Sequence, residues 1–171
     1  LDIGGVSGWR LPETSPIDGV SFDYTSKFDG STDYGYAISA PGTIYAGGTG
    51  SELANLFYST LGNLAFFDTS GGAPQAGWGL TNTGNFSNVQ PLNYWSGTDY
   101  APISGHAWDF TFNSGLQFNL VKADGSYAWA VHDGDVGTLI PTIPEPGSFW
   151  LFGLGLMGYL SISRHFRSSV T

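Results

Sequence analysis

Two short clusters of aspartates are the residues whose type and spacing best suit metal chemistry. Asp29 and Asp33 flank a Gly-Ser-Thr sequence, and Asp133 and Asp135 flank a glycine. Carboxylate oxygens are ligands that Ca²⁺ prefers, so both clusters are candidate calcium sites. Neither has the spacing of an EF-hand loop, and short Asp-Gly sequences more often form turns. We expect no cofactor, with calcium as the open alternative.

Catalytic chemistry has little support in the sequence. His106 could act with Asp99 or Asp109 and a serine, but the Gly-x-Ser-x-Gly motif of many serine hydrolases is absent. His132 lacks a recognisable partner motif as well. The chain has no cysteine, which excludes thiol catalysis, disulfides and Cys-ligated metals. We predict that the protein is not an enzyme, and a secreted hydrolase of polysaccharide is the alternative.

Aromatic side chains are the better candidates for binding a ligand. They make up 16% of the chain, with six tryptophans. Tryptophans at alternating strand positions are expected in the core, whereas Trp78 and Tyr100 lie in predicted loops and can face a sugar ring. Arg10 could also bind a ligand, although such an arginine more often hydrogen-bonds carbonyls or a carboxylate as a structural group.

The charge of the chain excludes one class of partner. The net charge is −9, and residues 1–140 contain three basic residues against 13 acidic ones. Nucleic-acid binding needs basic patches that neutralise phosphates, so we predict no nucleic-acid partner.

One helix and several short strands must position these residues. Ser51 can cap the helix, Glu52 favours its first turn, and Gly62 can end it. We expect the helix to pack against a sheet later in the chain. Four apolar side chains share one face at helical spacing: Leu53, Leu56, Phe57 and Leu61.

Alternating large apolar residues predict a β-meander over residues 94–132. A shorter strand is predicted at 20–24, and residues 68–93 are predicted to form a long loop whose aromatic residues fold back onto the core. The meander has three predicted inward faces: Trp108, Phe110 and Phe112; then Leu116, Phe118 and Leu120; then Tyr127, Trp129 and Val131.

The end of the chain has the features of a membrane segment. Residues 147–163 carry no charge and are mostly Leu, Phe, Gly, Trp and Met. A spanning helix needs ~20 apolar residues, so this segment is at the short end of the range. Arg164 and Arg167 follow it as a basic stop, which favours an external location for the preceding chain. Because the sequence begins at Leu1 rather than Met, we expect an export signal upstream of it.

The tail as a whole resembles the PEP-CTERM sorting signal. Pro144-Glu145-Pro146, the apolar segment and the basic end follow one another within residues 144–167. The resemblance implies a temporary anchor that an exosortase-type membrane protease cuts near Pro-Glu-Pro. The protein would then pass from an inner-membrane intermediate to the cell surface or extracellular matrix of a Gram-negative bacterium. A permanent single-pass anchor is the alternative, but it has no need of Pro-Glu-Pro.

Four motifs in the rest of the chain resemble the Lcl C-terminal domain family. The resemblance spans Gly8 to Asp133 and implies a C-type-lectin-like fold, related to that of formylglycine-generating enzymes. It also implies binding of a polysaccharide such as a sulfated glycan. In order, the motifs are Gly8-Trp9-Arg10-Leu11-Pro12, Tyr94-Trp95-Ser96-Gly97-Thr98, Ala107-Trp108-Asp109-Phe110 and Tyr127-Ala128-Trp129-Ala130-Val131.

The sequence therefore predicts an α+β, C-type-lectin-like domain that is rich in loops. It should have small antiparallel sheets, one or two helices and a separate C-terminal hydrophobic helix. The domain is expected at residues 1–137, a linker at 138–143 and the sorting signal at 144–167. We expect an exported surface or exopolysaccharide-matrix protein whose partners are an exosortase-type protease, a polysaccharide or matrix glycan, and the membrane through its tail. A structural matrix component without a ligand is a further alternative.

Overall fold

The computed structural model describes residues 1–48 and 50–134. A compact unit spans Leu1–Asp135 and consists mostly of loops, small sheets and one short helix. This confirms the prediction of a loop-rich α+β architecture. Within the described ranges, no helix has the length and apolar character needed to cross a bilayer. The predicted linker at 138–143 and the tail at 144–167, with its hydrophobic helix, lie outside the described residues.

The predicted soluble helix forms where its sequence signals place it. Helix α1 covers Glu52–Asn55 and continues as a π-helical turn over Leu56–Thr60. The Ser51 hydroxyl oxygen accepts a hydrogen bond of 3.2 Å from the amide of Ala54, which satisfies one otherwise unpaired donor of the first turn. The face that packs into the core contains Leu53, Ala54, Phe57, Tyr58 and Leu61, all buried.

In the part of the chain that the structure describes, seven short strands form two sheets. The first is a two-stranded antiparallel hairpin, and the second has five strands in the order β3-β4-β7-β6-β5. Strands β5, β6 and β7 are antiparallel neighbours, and the pairing of β6 with β7 confirms the first two strands of the predicted meander. Strands β3 and β4 are parallel to each other. The bounds are β1 Asp2–Ile3, β2 Val6–Ser7, β3 Ser26–Lys27, β4 Tyr34–Gly35, β5 Asn93–Asp99, β6 His106–Thr111 and β7 Leu116–Val121.

The core lies between the helix and one face of the five-stranded sheet. The ring of Phe57 lies 5.5 Å from those of Phe110 and Phe112, measured between centroids. Trp108, Phe110 and Phe112 are at most 1% exposed, which confirms the first predicted inward face. Large aromatic rings remove much apolar surface from water, and this burial stabilises a domain that has no disulfide.

The predicted strand at 20–24 was wrong. The carboxylate of Asp18 accepts hydrogen bonds from the amides of Val20 and Ser21 at 2.8 and 3.0 Å. A side chain that bonds nearby backbone amides competes with strand pairing and stabilises a turn. The side chain of Val20 is 83% exposed, and pairing begins later, at Ser26 in β3.

The predicted second inward face, on β7, was also wrong. Gln117 lies opposite Phe110 in the register, so these two side chains share the helix-facing side of the sheet. Gln117 is 1% exposed, and its amide nitrogen donates to the carbonyl oxygen of Asp33 at 2.7 Å. Leu116 and Phe118 therefore lie on the opposite face and are half-buried.

The third predicted strand of the meander is a single extended segment, which we call the strap (residues 126–131). Tyr127 pairs with Tyr94 of β5 through one bridge, and Val131 pairs with Arg10 through another. Because the strap pairs first with β5 and then with the segment at Arg10, its hydrogen bonds do not form one regular ladder. Its alternating aromatic residues, Tyr127 and Trp129, both pack against Tyr94, at 5.5 and 5.8 Å between ring centroids, although the strap forms no ladder.

Candidate functional site

Arg10 occupies a structural position. Its guanidinium donates to both carboxylate oxygens of Glu52 at 2.7 and 3.0 Å and to Asp133 at 2.6 Å. A further bond of 3.1 Å reaches the carbonyl oxygen of Leu11. The hydrogen bonds to Glu52 and Asp133 raise the pKa of Arg10, and its guanidinium holds the pKa values of both carboxyl groups below their usual range. Two parallel bonds of this kind fix an arginine in one orientation, so Arg10 joins the first and last segments of the domain to the helix.

The carboxylate oxygens of Asp29 and Asp33, which suggested a calcium site, accept hydrogen bonds from nearby amides and a hydroxyl group. The oxygens of Asp33 accept the amides of Ile17 and Asp23, each at 2.8 Å, and burial raises its pKa despite these bonds. Asp29 accepts the hydroxyl and the amide of Ser31 at 2.6 and 3.1 Å, which lowers its pKa.

Metal-binding groups are not clustered in the part of the chain that the structure describes. No group of three or more histidine, aspartate or glutamate side chains there could hold a metal ion. Asp133 is paired with Arg10, and Asp135 lies outside the described residues.

The two loop aromatic residues predicted to bind ligand differ in exposure. Tyr100 is 7% exposed, and its ring lies 5.1 Å from that of Tyr24 and 4.9 Å from that of Trp108. Trp78 is 36% exposed and packs edgewise on Phe66 at 4.8 Å. Tyr100 is thus part of an interior aromatic cluster, while Trp78 keeps an exposed edge.

Neither described histidine is arranged as a catalytic base beside a nucleophile. Nδ1 of His106 lies 2.6 Å from the side-chain oxygen of Asn119 on the neighbouring strand. Nε2 of His132 lies 2.9 Å from the carbonyl oxygen of Ser7, and its ring packs edgewise against Trp9. Because a carbonyl oxygen accepts, His132 donates from Nε2, and the contact ties the strap end to the first hairpin.

An open aromatic cleft lies between the strap and the loop at 85–89. Its volume is about 430 Å³, within the range of small-molecule sites. Two rings stand at its surface, since Phe86 is 44% and Tyr127 is 47% exposed. Trp129 lies half-buried behind them, with its ring 5.1 Å from that of Phe86 and stacked at 5.9 Å on the core residue Phe112.

Neutral polar groups surround these rings. Asn85, Ser87 and Asn88 line the cleft together with Tyr94, whose hydroxyl oxygen accepts the amide of Gln90 at 2.9 Å. The described lining contains no charged side chain. Rings flanked by amide and hydroxyl groups can pack against the apolar face of a sugar while they hydrogen-bond its hydroxyls. We call this site the aromatic cleft.

The aromatic cleft brings together segments that are far apart in the sequence. The amide of Trp95 donates to the carbonyl oxygen of Tyr127 at 2.9 Å, and the amide of Tyr127 donates to the carbonyl oxygen of Asn93 at 2.8 Å. Arg10 and Val131 exchange backbone hydrogen bonds of 3.0 and 2.9 Å. The four motifs of the sequence are therefore neighbours, because β5 and β6 pair and the strap lies beside β5 and Arg10.

Comparison with known proteins identifies the tail. Residues 142–165 match the PEP-CTERM protein-sorting motif. The motif is recognised by exosortase, so this is an exported, exosortase-targeted protein with a membrane-anchored C-terminal signal. The match includes Pro144, Glu145 and Pro146 and the first basic residue, Arg164, whereas Arg167 lies beyond it. No curated protein and no solved structure matches the chain, so the C-type-lectin-like relationship of the domain stays a prediction.

The sequence did not single out the two exposed rings of the aromatic cleft. Phe86 was predicted to fold back onto the core with the other aromatic residues of the loop at 68–93, whereas its side chain is 44% exposed. Its place in an Asn- and Ser-rich part of a long loop was the weak signal of a contact residue. Tyr127 was assigned to a buried strand face because of its alternation with Trp129. The exposure of Tyr127 depends on the strap, and the alternation alone does not reveal it.

Proposed function

We propose that the domain of this exported protein binds a neutral glycan of the cell surface or matrix in the aromatic cleft. The observation that carries the proposal is the pair of exposed rings, Phe86 and Tyr127, facing one cleft beside neutral amide and hydroxyl groups. The Lcl-like order of motifs supports a polysaccharide as the ligand, and the charge of the domain decides between neutral and sulfated ones. A binding protein with an exosortase-processed tail would be delivered to where such a ligand is found.

Charge favours a neutral glycan over a sulfated or uronate-rich one. Residues 1–140 carry 13 acidic groups, and two of their three cations are paired within the domain. Arg10 pairs with Glu52, and the ammonium group of Lys122 lies 2.5 Å from Asp99. An anionic polymer would therefore meet net repulsion at moderate ionic strength.

Matched aromatic substitutions test the site. A glycan array identifies the ligand, and calorimetry with it compares Tyr127→Ala and Phe86→Ala with Trp78→Ala, which removes a part-exposed ring outside the cleft. Loss of one stacked ring is expected to cost about 1.4 kcal/mol, or about tenfold in Kd, for each cleft variant and nothing for the control. Selective loss in Trp78→Ala, or release of reducing ends from the glycan, would overturn the proposal.

Processing of the tail is tested separately by the mass of the mature protein from its host. We expect the residues after about Glu145 to be missing. Replacement of Pro144-Glu145-Pro146 by alanines should leave the full tail on the protein and keep it in the membrane fraction. A mature wild-type protein that retains its entire tail would contradict processing by an exosortase-type protease.

A further inference from the structure

Asp109 is a buried carboxyl group that the proposed binding site does not use. It lies in the middle of β6, on the face opposite the helix, and is 1% exposed. Both of its carboxyl oxygens are buried without a hydrogen-bond partner among the described residues. A buried polar group in this state costs free energy, and an ionised one costs considerably more.

Two aromatic residues flank Asp109 across the sheet, and one hydroxyl group lies beside its carboxyl group. In the register of the sheet, Trp95 of β5 lies opposite it on one side and Phe118 of β7 on the other. Ser126, the first residue of the strap, lies beside the carboxyl group, and its own hydroxyl is buried without a partner. Ser126 is therefore the residue through which the strap meets the Asp109 face of β6, and the next residue, Tyr127, hydrogen-bonds the outer edge of β5.

Charged groups near this face do not compensate Asp109. Lys122 and Asp99 lie at the end of the sheet beside Trp95 and pair with each other at 2.5 Å. Burial raises the pKa of Asp109 to about 7, and the nearby hydroxyl of Ser126 opposes this only in part. The proton is thus gained or lost near neutral pH.

We propose that the strap is a pH-sensitive wall of the aromatic cleft, held against the sheet when Asp109 is protonated and loosened when Asp109 ionises. The neutral acid is tolerated beside Ser126, and its O–H can turn toward the hydroxyl of that residue. When the proton leaves to solvent, the carboxylate needs water, which reaches it by displacement of Ser126 and its neighbours. Because the strap carries Tyr127 and Trp129, its displacement disassembles the cleft, and ligand bound there is released at higher pH. This last consequence rests on the proposed function; the movement of the strap does not.

The direction of the pH effect on the strap follows from proton linkage. Asp109 has a higher pKa in the closed state than its ordinary value, so the closed strap binds the proton more tightly than the open one. The closed state is favoured most at acidic pH and loses its advantage as pH rises through about 7.

Amide hydrogen exchange of the free protein tests the movement. Protection factors, which remove the intrinsic effect of pH on exchange, are compared at about pH 5.5 and about pH 8.5 for the amides of Tyr127 and Val131. We expect protection of both to fall at least about tenfold at the higher pH in the wild type, with the amides paired in β6 and β7 unchanged. Asp109→Asn, which keeps the shape without the charge, should show equal protection at both values.

Two results would overturn the proposal. One is equal strap protection in the wild type at both pH values; the other is a fall that extends equally over β6 and β7, which would mean that the whole domain loosens. If Asp109→Asn fails to fold, a pH titration of the carboxyl ¹³C chemical shift of Asp109 in the wild-type chain tests the proposal instead. A midpoint near that of exposed aspartates, about 4, would also overturn it. No measurement uses a glycan, so failure here is distinct from failure of the binding proposal.

Discussion

At the scale of single residues, long-range pairing decides what each candidate does. Arg10 could have faced a ligand, but Glu52 lies 42 positions away in the chain and accepts both of its forked donors. The carboxylate of Glu52 also accepts the amide of Glu13 at 2.6 Å. One carboxylate therefore joins the first segment of the domain to the start of the helix.

Glu52→Ala should destabilise the domain more than Asp133→Ala does. We expect Glu52→Ala to lower the free energy of unfolding by about 1–2 kcal/mol, a value that allows for the partial exposure of this ion pair. Asp133 is 81% exposed, so solvent screens its bond to Arg10 and its removal should have little effect. Urea unfolding measures both variants, and an equal loss would show that the second carboxylate matters as much as the first.

The same pair gives a pH dependence of known sign. Arg10 lowers the pKa of Glu52, so the stabilising contribution is present above the ordinary glutamate value of about 4.3 and is lost as pH falls below it. The difference in unfolding free energy between wild type and Glu52→Gln should shrink steadily as pH falls below about 4. A difference that stays constant down to the acid transition would rule out this linkage.

At the scale of elements, the edge of the large sheet depends on close backbone approach. Gly35 of β4 pairs with Lys27 of β3 and with Gln117 of β7. Its φ is 132°, and a Cβ atom there would clash with the backbone carbonyl oxygen of Lys27. The two-residue strand β3 can pair in parallel with β4 here because Gly35 has no side chain.

Gly35→Ala should disrupt this edge, and Gly19→Ala provides the matched control. Gly19 also has a positive φ, 72°, but a Cβ atom there would meet nothing within 4 Å. The control should cost about 1 kcal/mol from backbone strain alone, and Gly35→Ala about 3 kcal/mol or more because a backbone clash is added. Thermal and urea unfolding compare the two; costs within about 0.5 kcal/mol of each other would show that β3 simply moves aside.

At the scale of the whole molecule, the sorting tail and the acidic domain have different roles. The tail directs an exported chain to an exosortase, and the acidic domain contains the aromatic cleft. The net charge of −9 affects every anionic partner at long range, whereas the described lining of the aromatic cleft is neutral.

Salt should therefore separate two classes of glycan. The Kd for a neutral ligand in the cleft should change less than about twofold between roughly 0.05 and 0.5 M NaCl, because no charge is neutralised on binding. A sulfated polymer should bind weakly at low salt and no more weakly at high salt, since screening reduces repulsion. Calorimetry at the two salt concentrations tests this, and tight low-salt binding of a sulfated polymer that salt abolishes would contradict the charge argument.

The sequence by itself determined the features that depend on local pattern. The absence of cysteine excluded thiol chemistry, and the acidic composition argued against a nucleic-acid partner. The spacing around Leu53 and Phe57 predicted the helix with its Ser51 cap, and alternation predicted β6 and β7. The tail was identified from a contiguous motif, which needs no knowledge of the fold. These signals survive because capping, helical period and strand alternation act over a few residues.

Only the tertiary structure decided which surfaces meet. The pattern of the strap is that of a strand, yet Tyr127 and Val131 pair with different partners and leave Tyr127 in an open cleft beside Phe86. Strand alternation gives two faces but not what covers each, so Gln117 proved buried, and Asp109 is buried without a hydrogen-bond partner among the described residues. Contacts between residues far apart in the chain depend on register and loop paths, which no local period encodes.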